Sequence, residues 1–255
     1  MCARVPVGLP TYTWFVRFVR ALSNLRQASG FDSRKYKQLS KALSRNDLRE
    51  KRLILRIDDF PVGVRPLQDE SRIQDFLRAI DSCNVPFILG IVPLMCKDSD
   101  WMFLKTLKNM IPAMHGLEHG NSIFSQLCIQ QNDLKNDRTV KQFNELSGLG
   151  KINSVNLLKG GRQLMHDRLQ IKVEIYIPPC NKLTFRQSIW VRKSGFHLVM
   201  SDPLFIFAAL PVIRSDFYGK TFEMNKAKGL VTLHATWEAD KYDRGKVIDT
   251  VNSWK

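Results

Sequence analysis

The sequence predicts an α/β protein whose parallel strands close into a (β/α) barrel. Between residues 53 and 254, apolar stretches of strand length alternate with amphipathic stretches of helix length at least five times. Such alternation is typical of parallel strands joined by helical crossovers. The alternating region spans roughly 200 residues, and no Gly-x-Gly-x-x-Gly motif follows any predicted strand, so we favour a barrel over a doubly wound sheet.

The first predicted strand, residues 53–60 (LILRIDDF), ends in two adjacent carboxylates, Asp58 and Asp59. Four of its first five residues are apolar, which is typical of a strand buried on both faces. Adjacent strand residues point to opposite faces, so both acids can serve one site only if the backbone turns there. Pro61 and Gly63 predict that turn, although an ordinary solvated loop would have the same composition.

The rest of the chain continues the alternation. We predict further strands over residues 85–92, 173–177, 196–200 and 229–235, with a very short apolar run over 111–114. We predict helices from Asp69 or Ser71 to about Cys83 and over residues 99–110, 152–168, 184–194 and 238–254. Residues 120–150 are polar without a clear period, which indicates a lid or substrate loop, and residues 204–213 are apolar but ambiguous.

Residues 1–50 are predicted to form a basic helical extension before a catalytic domain over residues 51–255. Residues 1–52 contain twelve Lys or Arg and three acids, a net +9 of the +15 carried by the whole chain. Over residues 11–27, apolar and aromatic residues recur at helical spacing with arginines between them, which predicts an amphipathic helix. Its apolar face would pack on the domain, on a partner or on an anionic membrane, and we predict peripheral membrane attachment.

Cysteine usage predicts a reducing, cytoplasmic location. The five cysteines are odd in number and form no Cys-x-x-Cys pair, so neither a zinc knuckle nor a disulfide framework is expected. Arg17 and Arg20 interrupt the apolar N-terminal stretch, so we expect no signal peptide. No apolar run approaches the roughly 20 residues that a spanning helix needs. The basic charge predicts an anionic partner, which we expect to be a glycan or a membrane surface rather than nucleic acid.

Polar side chains follow several of the predicted strands. In parallel barrels the carboxyl ends of the strands converge on one face, where catalytic residues are placed. Residues from distant parts of the sequence would therefore meet at one site, which points to an enzyme. The candidates are Asp58 and Asp59 after the first strand, His115 and His119 after the short third one, then Asn181, Asp202 and, in the last strand, His234.

The spacing of His115 and His119 lets both imidazoles reach one metal ion. An H-E-x-x-H metalloprotease is excluded, because Gly116 occupies the position of its glutamate. A carboxylate from Asp59 would complete a set of two histidines and one aspartate, which leaves positions open for water and substrate as in catalytic zinc sites. We therefore expect a divalent ion, zinc in the first place, although iron or another divalent ion suits the same ligands.

The order of these motifs resembles the polysaccharide deacetylase superfamily, the metal-dependent carbohydrate esterases. The resemblance covers about residues 51–240 and rests on Asp-Asp, His-x-x-x-His, a proline-containing turn and a late Leu-x-His. It implies a distorted barrel of about seven strands. It also implies that Asp58 is the general base, that Asp59, His115 and His119 bind the metal, and that His234 is the general acid.

Two motifs depart from the superfamily pattern. The third is usually Arg-x-Pro-Tyr, whereas the corresponding run here is Ile177-Pro178-Pro179-Cys180. Without that arginine, either another residue pairs with Asp58 or the basicity of Asp58 differs. The fourth, acidic residues with a tryptophan, is echoed only by Asp202. An inactive homologue that binds an anionic glycan, lipid or nucleic acid through its basic surface is therefore the alternative to an enzyme.

Amide hydrolysis needs an activated water, a donor for the oxyanion and a proton for the leaving amine. Prolines have no backbone N–H, so the first donors in the turn after residue 177 are those of Cys180 and Asn181. Trp237, close after His234, would wall the pocket against a sugar face or pack in the core. We expect removal of an N-acetyl group from a sugar of a glycan or glycolipid, and hydrolysis of a different amide or ester stays open.

Overall fold

In the computed structural model of the chain, the described residues are 37, 39–41, 43, 53–61, 70–118, 145–146, 149–181, 183–201, 212–213, 217–218, 229–235 and 244–252. Strands and helices alternate along them. The strands are β1 (Leu53–Phe60), β2 (Phe87–Ile91), β3 (Met110–His115), β4 (Ile175–Ile177), β5 (Leu198–Met200), β6 (Val212–Ile213), β7 (Phe217–Tyr218) and β8 (Gly229–His234). The helices are α1 (Glu70–Ser82), α2 (Asp98–Leu104), α3 (Lys151–Leu169), α4 (Phe185–Lys193) and α5 (Arg244–Asn252).

The strands form one sheet in the order β6-β5-β4-β3-β2-β1-β8-β7. Every strand pair in it is parallel. This confirms the α/β class and the parallel architecture. The described residues contribute eight strands where we expected about seven; β6 lies inside the apolar stretch that the sequence left ambiguous, and β7 was not predicted.

The connection between β6 and β7 requires the sheet to curl on itself. These two strands are the outermost of the sheet, yet only residues 214–216 separate them in the sequence. Seven steps between neighbouring strands would place them about 34 Å apart in a flat sheet. Four residue steps span at most about 14 Å. The sheet is therefore bent into a nearly closed, distorted barrel, as predicted.

The curled sheet separates two apolar clusters. On the outside, α1 and α5 bury Phe76, Leu77 and Val247 together with Leu55 and Ile57 of β1. Each such side chain, fully buried, stabilises the fold by about 1.5–3 kcal/mol. The inner cluster consists of Leu39, Ile54, Ile88, Ile111, Ala113, Ile175, Ile177, Leu198, Met200, Ile213 and Leu230.

The predicted helix over residues 99–110 is wrong at its C-terminal end, because α2 stops at Leu104. The carboxylate of Asp81 accepts the backbone N–H groups of Lys108 at 3.1 Å and of Asn109 at 2.7 Å. These bonds satisfy donors that a continued helix would have used, and they direct the chain into β3. The apolar spacing alone could not reveal this contact between distant residues.

Part of the basic extension contributes to the barrel core. Residues 37, 39–41 and 43 are helical, and Leu39 is buried within the inner cluster. The predicted amphipathic helix over residues 11–27 lies outside the described residues, so its surface partner stays a prediction. Among the helices that the structure describes, none is long and apolar enough to span a membrane.

Candidate active site at the carboxyl end of the barrel

Polar residues occupy the inner face where three strands end. Strand alternation places residues two apart on the same face, and along β1, β3 and β8 this inner face changes from apolar to polar. The register pairs Asp58 directly with His234, and His115 with Ile177. The inner-facing rows are Ile54, Arg56 and Asp58 on β1; Ile111, Ala113 and His115 on β3; and Leu230, Thr232 and His234 on β8.

A backbone turn separates the two adjacent carboxylates. Asp59 has a φ of 68°, in the left-handed region that aspartate and asparagine tolerate better than most residues. The pairing of β1 with β2 also shifts register between Ile57 and Phe60, as a bulge does. A bulge redirects the side chains beside it. Asp58 and Asp59 consequently reach different partners within the same end of the barrel.

Arg56 is the residue that pairs with Asp58. Its Nε donates to Asp58 Oδ1 at 2.8 Å, and its Nη2 donates to Asp58 Oδ2 at 2.5 Å. Both side chains are almost completely buried, with 1% and 2% of their surface exposed. A buried charge needs a partner of opposite sign, and the planar guanidinium matches a carboxylate with two parallel bonds. The question that the third motif left open is thus resolved in favour of another pairing residue.

Asp59 contacts His115 rather than the arginine. His115 Nε2 lies 2.9 Å from Asp59 Oδ1, and His115 Nδ1 lies 3.1 Å from the carbonyl oxygen of Ile177. A carbonyl only accepts, so Nδ1 carries a proton and donates it. In the neutral imidazole, Nε2 would then present a lone pair to the carboxylate. Two facing acceptors require a proton or a metal ion between them.

The described part of the site has the donors and the room for a divalent cation. A carboxylate oxygen and an imidazole nitrogen are ordinary ligands of zinc. Gly90 keeps the space beside them open, since a Cβ there would lie 3.0 Å from Asp58 Oδ1 and 3.2 Å from His115 Cβ. Among the described residues no group of three His, Cys, Asp or Glu side chains is gathered for a metal ion. The third predicted ligand, His119, lies outside them.

The turn after β4 is anchored at Asn181. The N–H of Asn181 donates to the carbonyl of Pro178 at 2.9 Å, and Ser201 Oγ donates to the carbonyl of Asn181 at 2.6 Å. Arg56 Nη2 donates to Asn181 Oδ1 at 2.6 Å. The backbone N–H of Asn181 is therefore engaged within the turn. Of the two predicted oxyanion donors, the N–H of Cys180 is the one that stays a candidate.

Glu145 holds the turn that follows His115. Its carboxylate accepts the N–H of Leu117 at 2.6 Å and the N–H of Glu118 at 2.8 Å. Gly116 makes this approach possible, because a Cβ at its φ of 68° would lie 2.6 Å from Glu145 Oε1. The held turn leads directly to His119. Glu145 comes from the stretch predicted as a lid or substrate loop, of which residues 145 and 146 are described.

The structure thus brings together Asp58, Asp59, His115, Asn181 and His234. Of the remaining predicted site residues, His119, Asp202 and Trp237 lie outside the described residues, and Cys180 is described only in its backbone. Their roles stay predictions.

Several solved structures share this fold. A family 4 carbohydrate esterase from Streptomyces lividans in complex with acetate matches with a TM-score of 0.52 at 10% identity, covering 80% of this chain and 88% of the esterase. A family 4 acetyl xylan esterase from Clostridium thermocellum in complex with a cobalt ion gives 0.51 at 10% identity, covering 78% and 81%. A peptidoglycan N-acetylglucosamine deacetylase bound to a benzamide derivative gives 0.50 at 12% identity, covering 80% and 83%.

The chain has the family 4 carbohydrate esterase fold. The fold that the superfamily resemblance implies is thereby confirmed. No protein-family model matches the sequence, and no curated protein matches it. At such low identity the esterase fold fixes the frame of the site, and the roles of individual residues rest on their own geometry.

Sequence reasoning missed two residues of this esterase-fold site. Arg56 was detectable, because it stands two positions before Asp58 in an otherwise apolar strand and therefore shares its face. A charged residue buried in a strand calls for a partner of opposite charge. Glu145 had no such signal: it lies in a polar stretch without periodicity, and its contact is to the backbone of a distant turn.

Proposed function

We propose that the chain is a metal-dependent hydrolase that removes an N-acetyl group from a sugar of a polysaccharide or glycolipid. One observation carries the proposal: Asp58 and Asp59 are adjacent, yet Asp58 faces Arg56 and Asp59 contacts His115. Hydrolysis at a metal needs one carboxylate to hold the ion and a second that stays clear of it to accept a proton. The different contacts of Asp58 and Asp59 support these two separate roles.

Asp59, His115 and His119 would hold the ion. A bound divalent ion, most simply zinc, supplies Lewis-acid chemistry that polarises the acyl carbonyl and makes water more acidic. The hydrogen bond from His115 Nδ1 to the Ile177 carbonyl fixes the ring orientation and leaves Nε2 as the ligand atom. Neutral imidazole and carboxylate donors fit this role equally well for cobalt or another divalent ion.

The remaining groups would move protons and stabilise charge. Asp58 accepts the proton of the attacking water, since each of its oxygens keeps a lone pair beyond the bond to Arg56. The N–H of Cys180 donates to the oxygen that becomes negative in the tetrahedral intermediate. His234, opposite Asp58 in the β1–β8 register, gives its proton to the departing amine.

Sugar acetates and sugar acetamides are both candidate substrates. The proteins with similar structures include an acetyl xylan esterase and a peptidoglycan N-acetylglucosamine deacetylase. We favour the amide because an amine is a poor leaving group until it is protonated, and His234 would provide that proton. Asp202 and Trp237 would contact the sugar.

Acetate release from defined sugars tests the proposal. The full chain is stripped with a chelator and titrated with zinc or cobalt in the presence of N-acetylglucosamine oligomers or acetylated xylan oligomers. We expect acetate release that requires the ion and is fastest with the N-acetylated sugar. Metal-independent release, or none from any sugar, would contradict the proposal; a chain that binds the oligomers without hydrolysing them would be the non-catalytic homologue.

A further inference from the structure

Arg56 is a cation buried inside the barrel. It is almost completely buried, and it stands on β1 between the inner apolar residue Ile54 and the carboxylate of Asp58. Removing a guanidinium from water is costly unless several hydrogen bonds replace its hydration. Three such bonds are present, two to Asp58 and one to Asn181. The cost of burying Arg56 is therefore offset by its contacts with Asp58 and Asn181.

The bonds to Asp58 fix the plane of its carboxylate. Nε and Nη2 of Arg56 reach the two oxygens separately, at 2.8 Å and 2.5 Å. Two parallel bonds determine both the position and the rotation of the carboxylate, which a single point charge cannot do. Because the arginine and the aspartate lie two residues apart on one strand face, this geometry is set by the backbone of β1 itself.

The third bond ties β1 to the turn at 179–181. Arginine has no acceptor, so the amide of Asn181 must turn its Oδ1 toward Arg56 and its Nδ2 away from it. The backbone of Asn181 has a φ of 56°, and its N–H and carbonyl are bonded to Pro178 and Ser201. The side chain of Asn181 therefore extends from a backbone that is fixed in position. Through it, Arg56 sets the distance between Asp58 and the turn.

We propose that Arg56 is a positioning residue that holds Asp58 and the 179–181 turn in one arrangement. This inference rests on the proposed function, in which Asp58 accepts the proton of water and Cys180 of the same turn stabilises the oxyanion. Both groups act on one acyl group: Asp58 on the water that attacks its carbon, and the N–H of Cys180 on its carbonyl oxygen. At the position where the superfamily resemblance leads one to expect an arginine, Ile177 is completely buried. The cation comes from β1 instead.

A cycle of kinetic measurements tests the link. It uses the metal-loaded full chain and the variants Arg56→Lys, Asn181→Gly and their combination, with glycine chosen because it accepts the positive φ. Lysine keeps the charge but cannot form the two parallel hydrogen bonds to Asp58. We therefore expect kcat to fall about 10²-fold while KM and the metal stoichiometry stay unchanged. Asn181→Gly should lower kcat, and adding it to Arg56→Lys should cost little more. Additive losses, or wild-type kcat in Arg56→Lys, would overturn the proposal.

The matched control is Arg162→Lys. Arg162 is a partly buried arginine of α3 that donates to the carbonyl of Val173 and lies over the ring of Phe196, away from the site. Its replacement should lower the unfolding temperature slightly and leave kcat unchanged. If it lowers kcat as much as Arg56→Lys does, loss of a buried arginine acts through general stability, and the positioning role is wrong.

A second cycle tests the pairing of Arg56 with Asp58 without any measurement of turnover. Thermal unfolding is measured for Arg56→Met, Asp58→Asn and the double variant. Each single change strands a buried charge and should lower the midpoint by on the order of 10 °C, whereas the double change should recover much of that loss. Additive effects would overturn the pairing. If the two substitutions are coupled in this cycle but the wild-type chain releases no acetate, the proposed function is refuted and the pairing of Arg56 with Asp58 stands.

Discussion

Asp58 and Asp59 are consecutive residues whose carboxylates lie against different partners: Arg56 binds both oxygens of Asp58, and Asp59 Oδ1 lies 2.9 Å from His115 Nε2. The left-handed backbone at Asp59 makes this possible within one strand end. The predictions for Gly90, Asp58 and Asp59 follow from this separation.

Replacing Gly90 by alanine should disturb Asp58, the carboxylate that we propose as the proton acceptor. The new Cβ would lie 3.0 Å from Asp58 Oδ1, and Asp58 cannot yield because Arg56 holds both of its oxygens. We expect kcat for acetate release to fall about 10–100-fold, as small displacements in active sites do. Gly160→Ala is the matched control: apart from its chain neighbours and the backbone of its own helix, no atom would lie within 4 Å of the added Cβ, so kcat should hold and stability should rise by up to about 1 kcal/mol. Wild-type kcat in Gly90→Ala would contradict this geometry.

Loss of Glu145 should weaken metal binding without touching a ligand. Its carboxylate accepts two backbone N–H groups of the turn between His115 and His119. In Glu145→Gln, one of these N–H groups would face an amide N–H2, so the turn would loosen. We expect metal affinity, measured by calorimetric titration, to fall by about 10-fold or more. Unchanged affinity would show that the turn keeps its shape unaided.

The proton donor can be identified by comparing two leaving groups. An amine leaves only when protonated, whereas the phenolate of an activated aryl ester leaves unaided. His234→Ala should therefore reduce amide hydrolysis by about 10²–10⁴-fold and ester hydrolysis much less. Rates on an N-acetylated sugar and on an aryl acetate give the ratio. Equal losses on both substrates would remove His234 from this role.

Tyr176 offers a test of the outer core. Its hydroxyl is buried without a hydrogen-bond partner among the described residues. Burial, followed by the nearby charge of Glu145, raises the pKa of Tyr176 well above the usual tyrosine value. Since the unfolded chain loses this proton near pH ~10 and the folded chain keeps it, stability should decline as pH rises above ~10.

Tyr176→Phe removes both effects. We expect the variant to be more stable by about 1 kcal/mol near neutral pH, with a shallower loss of stability at alkaline pH. Thermal unfolding between pH 7 and pH ~11 measures both. A variant less stable than wild type would mean that the hydroxyl has a partner.

The sequence was sufficient for the frame and for the position of the site. Buried parallel strands are dense in apolar residues, so LILRIDDF and FILGI were recognisable, and polar residues at their ends marked the face where the candidate site lies. The turn between Asp58 and Asp59 followed from the alternation of strand side chains and the proline beyond. These features depend on residues that are close together in the sequence, so sequence patterns predict them.

Contacts between distant residues were the part that sequence could not supply. Asp81 ends α2 early by binding the N–H groups of residues 108 and 109. Glu145 meets the turn after His115 from far along the chain, and Arg56 reaches Asn181 across the barrel. Strands of two residues, such as β6 and β7, are too short for any periodicity. Only the folded arrangement makes these pairings visible.

Separate metal titrations of Asp58→Asn and Asp59→Asn test the central claim most directly. Asparagine suits both positions, because it is close in size and tolerates the left-handed φ at residue 59. We expect Asp58→Asn to bind one divalent ion per chain as wild type does while its turnover falls about 10²–10⁴-fold, and Asp59→Asn to lose metal affinity together with turnover. Near-normal turnover in Asp58→Asn, or equal loss of metal from both variants, would contradict the division of roles between the two carboxylates.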